Sequence, residues 1–177
     1  GDALRLNNST SITANASILP TKPSSSVFYN STDNGSFNVS NKNYISYCFH
    51  SVTGYSKFGS YTGNGDGNGP SVTLGFRPAF LLVKPSSASD HWNLYDGTRD
   101  PLHSSTKKLL FPDRTNAEAS SSQNVEFTST GFTVKTDNTG MNGNGTTYIY
   151  MAFAGGMDSS STYNTTGDID SRVKAST

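Results

Sequence analysis

Cysteine occurs once in the 177 residues, at Cys48, which excludes an intramolecular disulfide framework and any multi-cysteine metal cluster. Charge is also scarce. Only 15% of residues are charged, thirteen basic against thirteen acidic, and no basic run is longer than Lys107-Lys108. That balance argues against electrostatic capture of nucleic acid or of an anionic membrane surface. Long hydrophobic runs are missing too: no stretch of eighteen apolar residues occurs, so no membrane insertion is expected. Glutamate appears only at Glu118 and Glu126, and no window longer than ten residues keeps a helical period.

What is present is aromatic and small-polar. Nine Tyr and ten Phe exclude a disordered composition, since disordered chains lack aromatics. Ser, Asn and Gly are poor helix residues, whereas Tyr, Phe and Thr fit a pleated, half-buried surface. Strand signals fall at Val27–Tyr29, Tyr44–Phe49, Tyr55–Tyr61, Val72–Phe76, Ala79–Lys84, Trp92–Tyr95, Leu109–Phe111, Val125–Phe127, Phe132–Lys135 and Thr147–Phe153, separated by Gly, Pro, Asn, Asp and Ser clusters. The expected fold is all-β, an antiparallel β-sandwich. A short helix at Asn116–Ser120 is the one alternative.

Self-comparison supplies the organisation. Tyr44-Ile45-Ser46-Tyr47-Cys48-Phe49 resembles Tyr148-Ile149-Tyr150-Met151-Ala152-Phe153 at an offset of 104 residues, which also places Phe28 on Phe132, Thr32-Asp33-Asn34 on Thr136-Asp137-Asn138 and Leu6 on Leu110. The chain therefore reads as repeated modules. Residues 1–50 are the second half of a preceding unit, 51–156 a complete unit, and 157–177 a polar linker leading into a further one. Within the complete unit, 51–103 is the first half and 104–156 the second. Equivalent segments, Tyr44–Phe49 with Tyr148–Phe153 and Phe28 with Phe132, are expected in similar environments.

Candidate sites are few. Tyr61–Pro70, YTGNGDGNGP, imitates the first half of a calcium loop, but a loop beginning at Asn64 needs a bidentate Glu where Gly75 stands. The stretch is read instead as a mobile glycine-rich hairpin tip, with Asn64, Asp66 and Asn68 available for surface contact. Trp92 and Asn93 lie on an alternating strand. They form either a sugar-stacking platform together with Asp90, or, as a lone Trp in a sandwich favours, a core anchor. Asp90, Asp96, Asp100, Asp113, Glu118 and Glu126 include no motif that places two carboxylates about a sugar. His50, His91 and His103 lack metal-ligand spacing, and no G-x-S-x-G elbow occurs. No catalytic residue, metal or cofactor is expected.

The runs GYSKFGSYTGNG (Gly54–Gly65), GFRPAFLLVK (Gly75–Lys84), HWNLYDGTRDP (His91–Pro101), KKLLFPDRTNAEAS (Lys107–Ser120), STGF (Ser129–Phe132) and TYIYMAFA (Thr147–Ala154) together resemble a repeated domain of virion structural proteins in marine tailed phages, particularly cyanophages. The resemblance implies a tail, fibre or appendage component in an extracellular particle. It also implies neighbouring virion subunits, a homo-oligomer and a possible host-surface glycan as partners. A secreted carbohydrate-binding or adhesin module is the alternative reading, and neither implies catalysis.

Overall fold

In the computed structural model, the residues described are 2–11, 13, 14, 24, 26–28, 38–97, 99, 107–121 and 124–155. Two sheets form the body. The larger has six strands, namely β3 (Ser56–Thr62), β5 (Pro78–Pro85), β6 (Asn93–Asp96), β7 (Lys107–Leu110), β8 (Ala119–Ser121) and β11 (Thr147–Ala154), in the order β3-β11-β5-β6-β7-β8. The smaller has three, β4 (Ser71–Thr73), β9 (Val125–Thr128) and β10 (Gly131–Val134), in the order β4-β10-β9. All pairings are antiparallel. A separate hairpin pairs β1 (Asp2–Ala3) with β2 (Thr13–Ala14).

The alternation TYIYMAFA explains why β11 is central. Tyr148, Tyr150 and Ala152 point into the sandwich and are buried, while Ile149, Met151 and Phe153 alternate onto the other face. A strand apolar on both faces is best placed where both edges are paired, and β11 pairs with β3 on one side and β5 on the other. Its inner residues meet Leu81, Val83, Tyr95 and Leu109 from the same sheet and Val125, Phe127, Phe132 and Val134 from the smaller one. Ring geometry joins the layers: Phe132 lies edge-on to Tyr61 at 6.0 Å and to Tyr150 at 5.6 Å, and Tyr61 stacks on Tyr148 at 5.0 Å. The all-β antiparallel sandwich of the sequence reading is what the chain forms.

Two close approaches fix where glycine must stand. A Cβ at Gly131 would fall 2.0 Å from the Val72 carbonyl oxygen, where β10 crosses β4. One at Gly59 would fall 2.6 Å from the Tyr150 hydroxyl, because the ring lies across the inner face of β3 opposite that position.

Several expectations are corrected. Asn116–Ser120 is not a helix; its last residues enter β8, where Ala119 pairs with Leu109. A one-turn helix, α1 (Thr139–Asn142), was not anticipated; the Asn138 side chain caps it by accepting from the Gly140 amide. Tyr44–Phe49 forms no strand and lies exposed, with Ile45 at 82% and Tyr47 at 79%, whereas Tyr148–Phe153 is the central strand. Phe28 is 50% exposed and Phe132 is 1% exposed. Equal environments therefore do not hold, because the strands that flank β11 have no counterpart beside Tyr44–Phe49 among the described residues. Tyr29 and the Thr32-Asp33-Asn34 match lie outside the described residues.

Candidate functional site

Two Gly- and Asn-rich loops meet at one end of the sandwich. The first, residues 63–70, leaves β3 in the larger sheet and enters β4 in the smaller one. It is a connection between sheets, not the hairpin tip the sequence suggested. The second, residues 135–146, leads from β10 through α1 to β11.

Asn142 joins them. It is fully buried, and its Oδ1 accepts from the Asn64 amide at 2.8 Å while the two N–H groups of its Nδ2 are shared among Asn64 Oδ1 at 2.8 Å, the Asp66 carbonyl at 2.7 Å and the Thr136 carbonyl at 2.9 Å. Backbone bonds fasten both ends of the first loop. Gly63 N donates to Thr146 O, Gly65 N to Asn142 O, Gly69 N to Val134 O, and Gly145 N returns a bond to Gly63 O. The glycines are needed for contact as well as conformation: a Cβ at Gly63 would sit 2.3 Å from Gly143 O, and Gly65 has φ +72°. Inside the loop, Asp66 N donates to Asn64 Oδ1 at 3.0 Å and Asn68 N to Asp66 Oδ1 at 2.8 Å. A loop so thoroughly bonded is ordered, which corrects the expectation of a mobile one; the anchor lies 78 residues away in sequence.

This tip leaves Asn64, Asp66, Asn68, Asp137, Asn138 and Asn144 exposed. It is a hydrogen-bonding surface with two carboxylates and the Lys135 ammonium, which donates to Asn68 Oδ1 at 3.4 Å, held on a rigid base, as contact loops on β scaffolds commonly are. Among the described residues no group of three His, Cys, Asp or Glu is placed to hold a metal ion.

Trp92 and Asn93 are not part of that surface. Trp92 is buried, and its Nε1 donates to the Arg5 carbonyl at 2.9 Å, so its rings lie beneath the N-terminal segment. Asn93 is buried on the inner face and donates to the Gly140 carbonyl at 3.2 Å. Neither is open for a sugar to stack on or bond to. Beside Trp92, Lys84 is wholly buried and donates to the carbonyls of Ser9, Pro85 and Asp90. Burial lowers its pKa from the ordinary lysine value, against the opposing pull of Asp113 and Asp90.

Asp90, Asp96, Asp113, Glu118 and Glu126 are each held by a structural partner. Asp113 binds His91 Nδ1 at 2.9 Å and the Trp92 amide at 3.3 Å. Asp90 Oδ1 accepts from the His91 amide at 2.7 Å. Asp96 and Glu118 both engage Arg99, and Glu126 faces Lys135 at 3.9 Å. Asp100 and His103 lie outside the described residues. Cys48, which falls in the strand signal Tyr44–Phe49, is exposed and lies in no strand.

Sequence comparison places residues 1–156 in the family DUF7483, described as a domain of unknown function, and the chain belongs to that family. No curated protein and no solved structure matches the chain.

Proposed function

We propose that this member of the DUF7483 family is a structural module of a tailed-phage virion, a tail, fibre or appendage component that presents its Asn/Gly tip to the host surface. The observation that supports the reading most is the tip itself: two loops remote in sequence are locked together through the buried Asn142, and they display amide and carboxylate groups to solvent. A preorganised polar surface suits weak, repeated contact with a glycan or protein coat, because little loop entropy is lost on binding. The motifs from Gly54 to Ala154 that resemble repeated virion domains point the same way, as does a scaffold low in charge and free of disulfides. Neighbouring virion subunits, a homo-oligomer and an extracellular location in the particle belong to this proposal.

Mass spectrometry of purified virions tests it. The reading requires peptides of this chain in the assembled particle at structural copy number; their presence only in the secreted fraction of a cell would favour the adhesin or carbohydrate-binding module instead.

A further inference from the structure

The exposed segment Tyr44–Phe49 follows a turn that duplicates one inside the sandwich. In residues 38–44, Lys42 N donates to Val39 O at 3.2 Å, the Val39 amide donates to the Tyr44 hydroxyl at 3.0 Å, and Asn41 has φ +60°. At the same offset of 104 residues, Thr146 N donates to Gly143 O at 3.0 Å, the Gly143 amide donates to the Tyr148 hydroxyl at 2.7 Å, and Gly145 has φ +72°. Asn41 is the only non-glycine with positive φ among the described residues, a conformation that costs an ordinary side chain energy. Three coincidences at one offset, one of them a strained backbone angle, mark the same structural element built twice.

The turn is preserved while the strand after it is not. Tyr148–Phe153 is flanked on both sides, whereas Tyr44 is 48% exposed and Ile45, Tyr47 and Cys48 are exposed with it; Phe49, 58% exposed, sets its ring 5.9 Å from Phe58 and 6.1 Å from Phe153. In the buried copy, the inner residues Tyr148, Tyr150 and Ala152 pair with Tyr61, Gly59 and Lys57 of β3 and with Pro85, Val83 and Leu81 of β5. The residues corresponding to that inner row are Tyr44, Ser46 and Cys48. Nothing beside them plays the part of β3 or β5 among the described residues.

We infer that residues 38–49 are a preformed turn followed by a segment that becomes a central strand on binding a half-unit of the kind built by residues 51–103, joined on their N-terminal side. Stoichiometry selects this occupant over a second copy of the chain. The half-unit present here already holds its own central strand, β11, so a neighbour could accept Tyr44–Phe49 only by expelling an equivalent strand. Chain order selects the side, since residues 51–103 precede β11 in the complete unit. The inference concerns packing alone and does not depend on the virion reading.

The experiment adds a duplicate of residues 51–104 ahead of Gly1 of the full chain, where residue 1 corresponds to 105. Alkylation of Cys48, the sole thiol, reports the result. Cys48 corresponds to Ala152, which is fully buried, so in the extended chain its native reaction with iodoacetamide is expected to slow by about 100-fold. Val83→Asp in the added half alone should restore the rate. Tyr44→Ser should leave the melting temperature of the original chain unchanged and lower that of the extended chain. Cys48 in the extended chain reacting at the original rate would overturn the inference. So would Cys48 already protected in the original chain, at any concentration, or Tyr44→Ser destabilising that chain as much as Tyr148→Ser.

Discussion

Asn142 and Asn64 exchange two hydrogen bonds of 2.8 Å: the Asn64 backbone amide donates to Asn142 Oδ1, and Asn142 Nδ2 donates to Asn64 Oδ1. This reciprocal pair turns two flexible-looking sequences into one surface. Asn142→Ala removes a fully buried hydrogen-bonding side chain and leaves the Asn64 amide, Asn64 Oδ1 and two carbonyls without that partner. It should cost about 2–3 kcal/mol in chemical denaturation, with faster amide exchange at Asn64 and Gly65 while the β11 amides stay protected. Asn142→Asp should be no better, because a carboxylate cannot donate to the Asp66 and Thr136 carbonyls.

Asp66→Asn should behave differently. The Asp66 side chain accepts from the Asn68 amide, which an asparagine oxygen does equally well, so stability should change by less than about half a kcal/mol. Adding calcium or a chelator should leave the melting temperature of both proteins where it was. A chelator that lowers the melting temperature of the wild type but not of Asp66→Asn would show that the loop holds calcium.

Gly59 faces Tyr150 so closely that a methyl group displaces the ring, 2.6 Å from its hydroxyl and 2.8 Å from the carbon bearing it. Gly59→Ala should destabilise by about 1–3 kcal/mol. Tyr150→Phe in the same chain should recover part of the loss, since it removes the nearer contact and leaves the other. Equilibrium unfolding of the two single variants and the double variant measures that coupling directly.

Alkaline pH should unfold the sandwich. Burial raises the pKa of Tyr95 and, with the negative charges that Tyr95 and Tyr148 would carry, that of Tyr61; burial also raises Tyr150, and Tyr148 despite hydrogen bonds from Gly143 and Thr146. In each case the folded value lies above the unfolded one, so the stabilisation is complete below about pH 10 and is lost as pH climbs from there towards the folded value. Each tyrosine that keeps its proton only when folded steepens the fall by about 1.4 kcal/mol per pH unit. Lys84 acts in the opposite sense: with its folded pKa lowered, its contribution rises with pH up to about 10.4, the unfolded lysine value. The tyrosines outnumber it, and Tyr95→Phe should flatten the decline seen by denaturation between pH 9 and 12.

Much of the sandwich could be read from the sequence because β-rich apolar runs bounded by turn residues are a local signal. Thr147–Ala154 and Pro78–Pro85 are both such runs. Ala119–Ser121 escaped because an edge strand of small polar residues has no apolar period, its register being set by β7 instead. The tip was legible only in part. Asn64, Asp66 and Asn68 announced a turn, but nothing local marks Asn142 as its anchor, since Met-Asn-Gly-Asn-Gly looks like any polar loop. Trp92 illustrates the same limit: the favoured reading made it a core anchor, yet it lies outside the core cluster and its indole N–H donates to the Arg5 carbonyl, a partner 87 residues away that no local pattern announces. Tyr44–Phe49 has the composition of a central strand, and its environment depends on partners that composition does not encode.

The contact role of the tip is tested most directly by the adsorption rate of virions carrying Asp66→Lys and Asn68→Lys. Both side chains are exposed, so particle assembly should be unchanged and domain stability should fall by no more than about 1 kcal/mol, for the lost acceptors of the Asn68 amide and Lys135, while adsorption to host cells falls by about tenfold or more, as expected when positive charge is placed at the centre of a contact surface. Intact particles that adsorb at the wild-type rate would contradict the account.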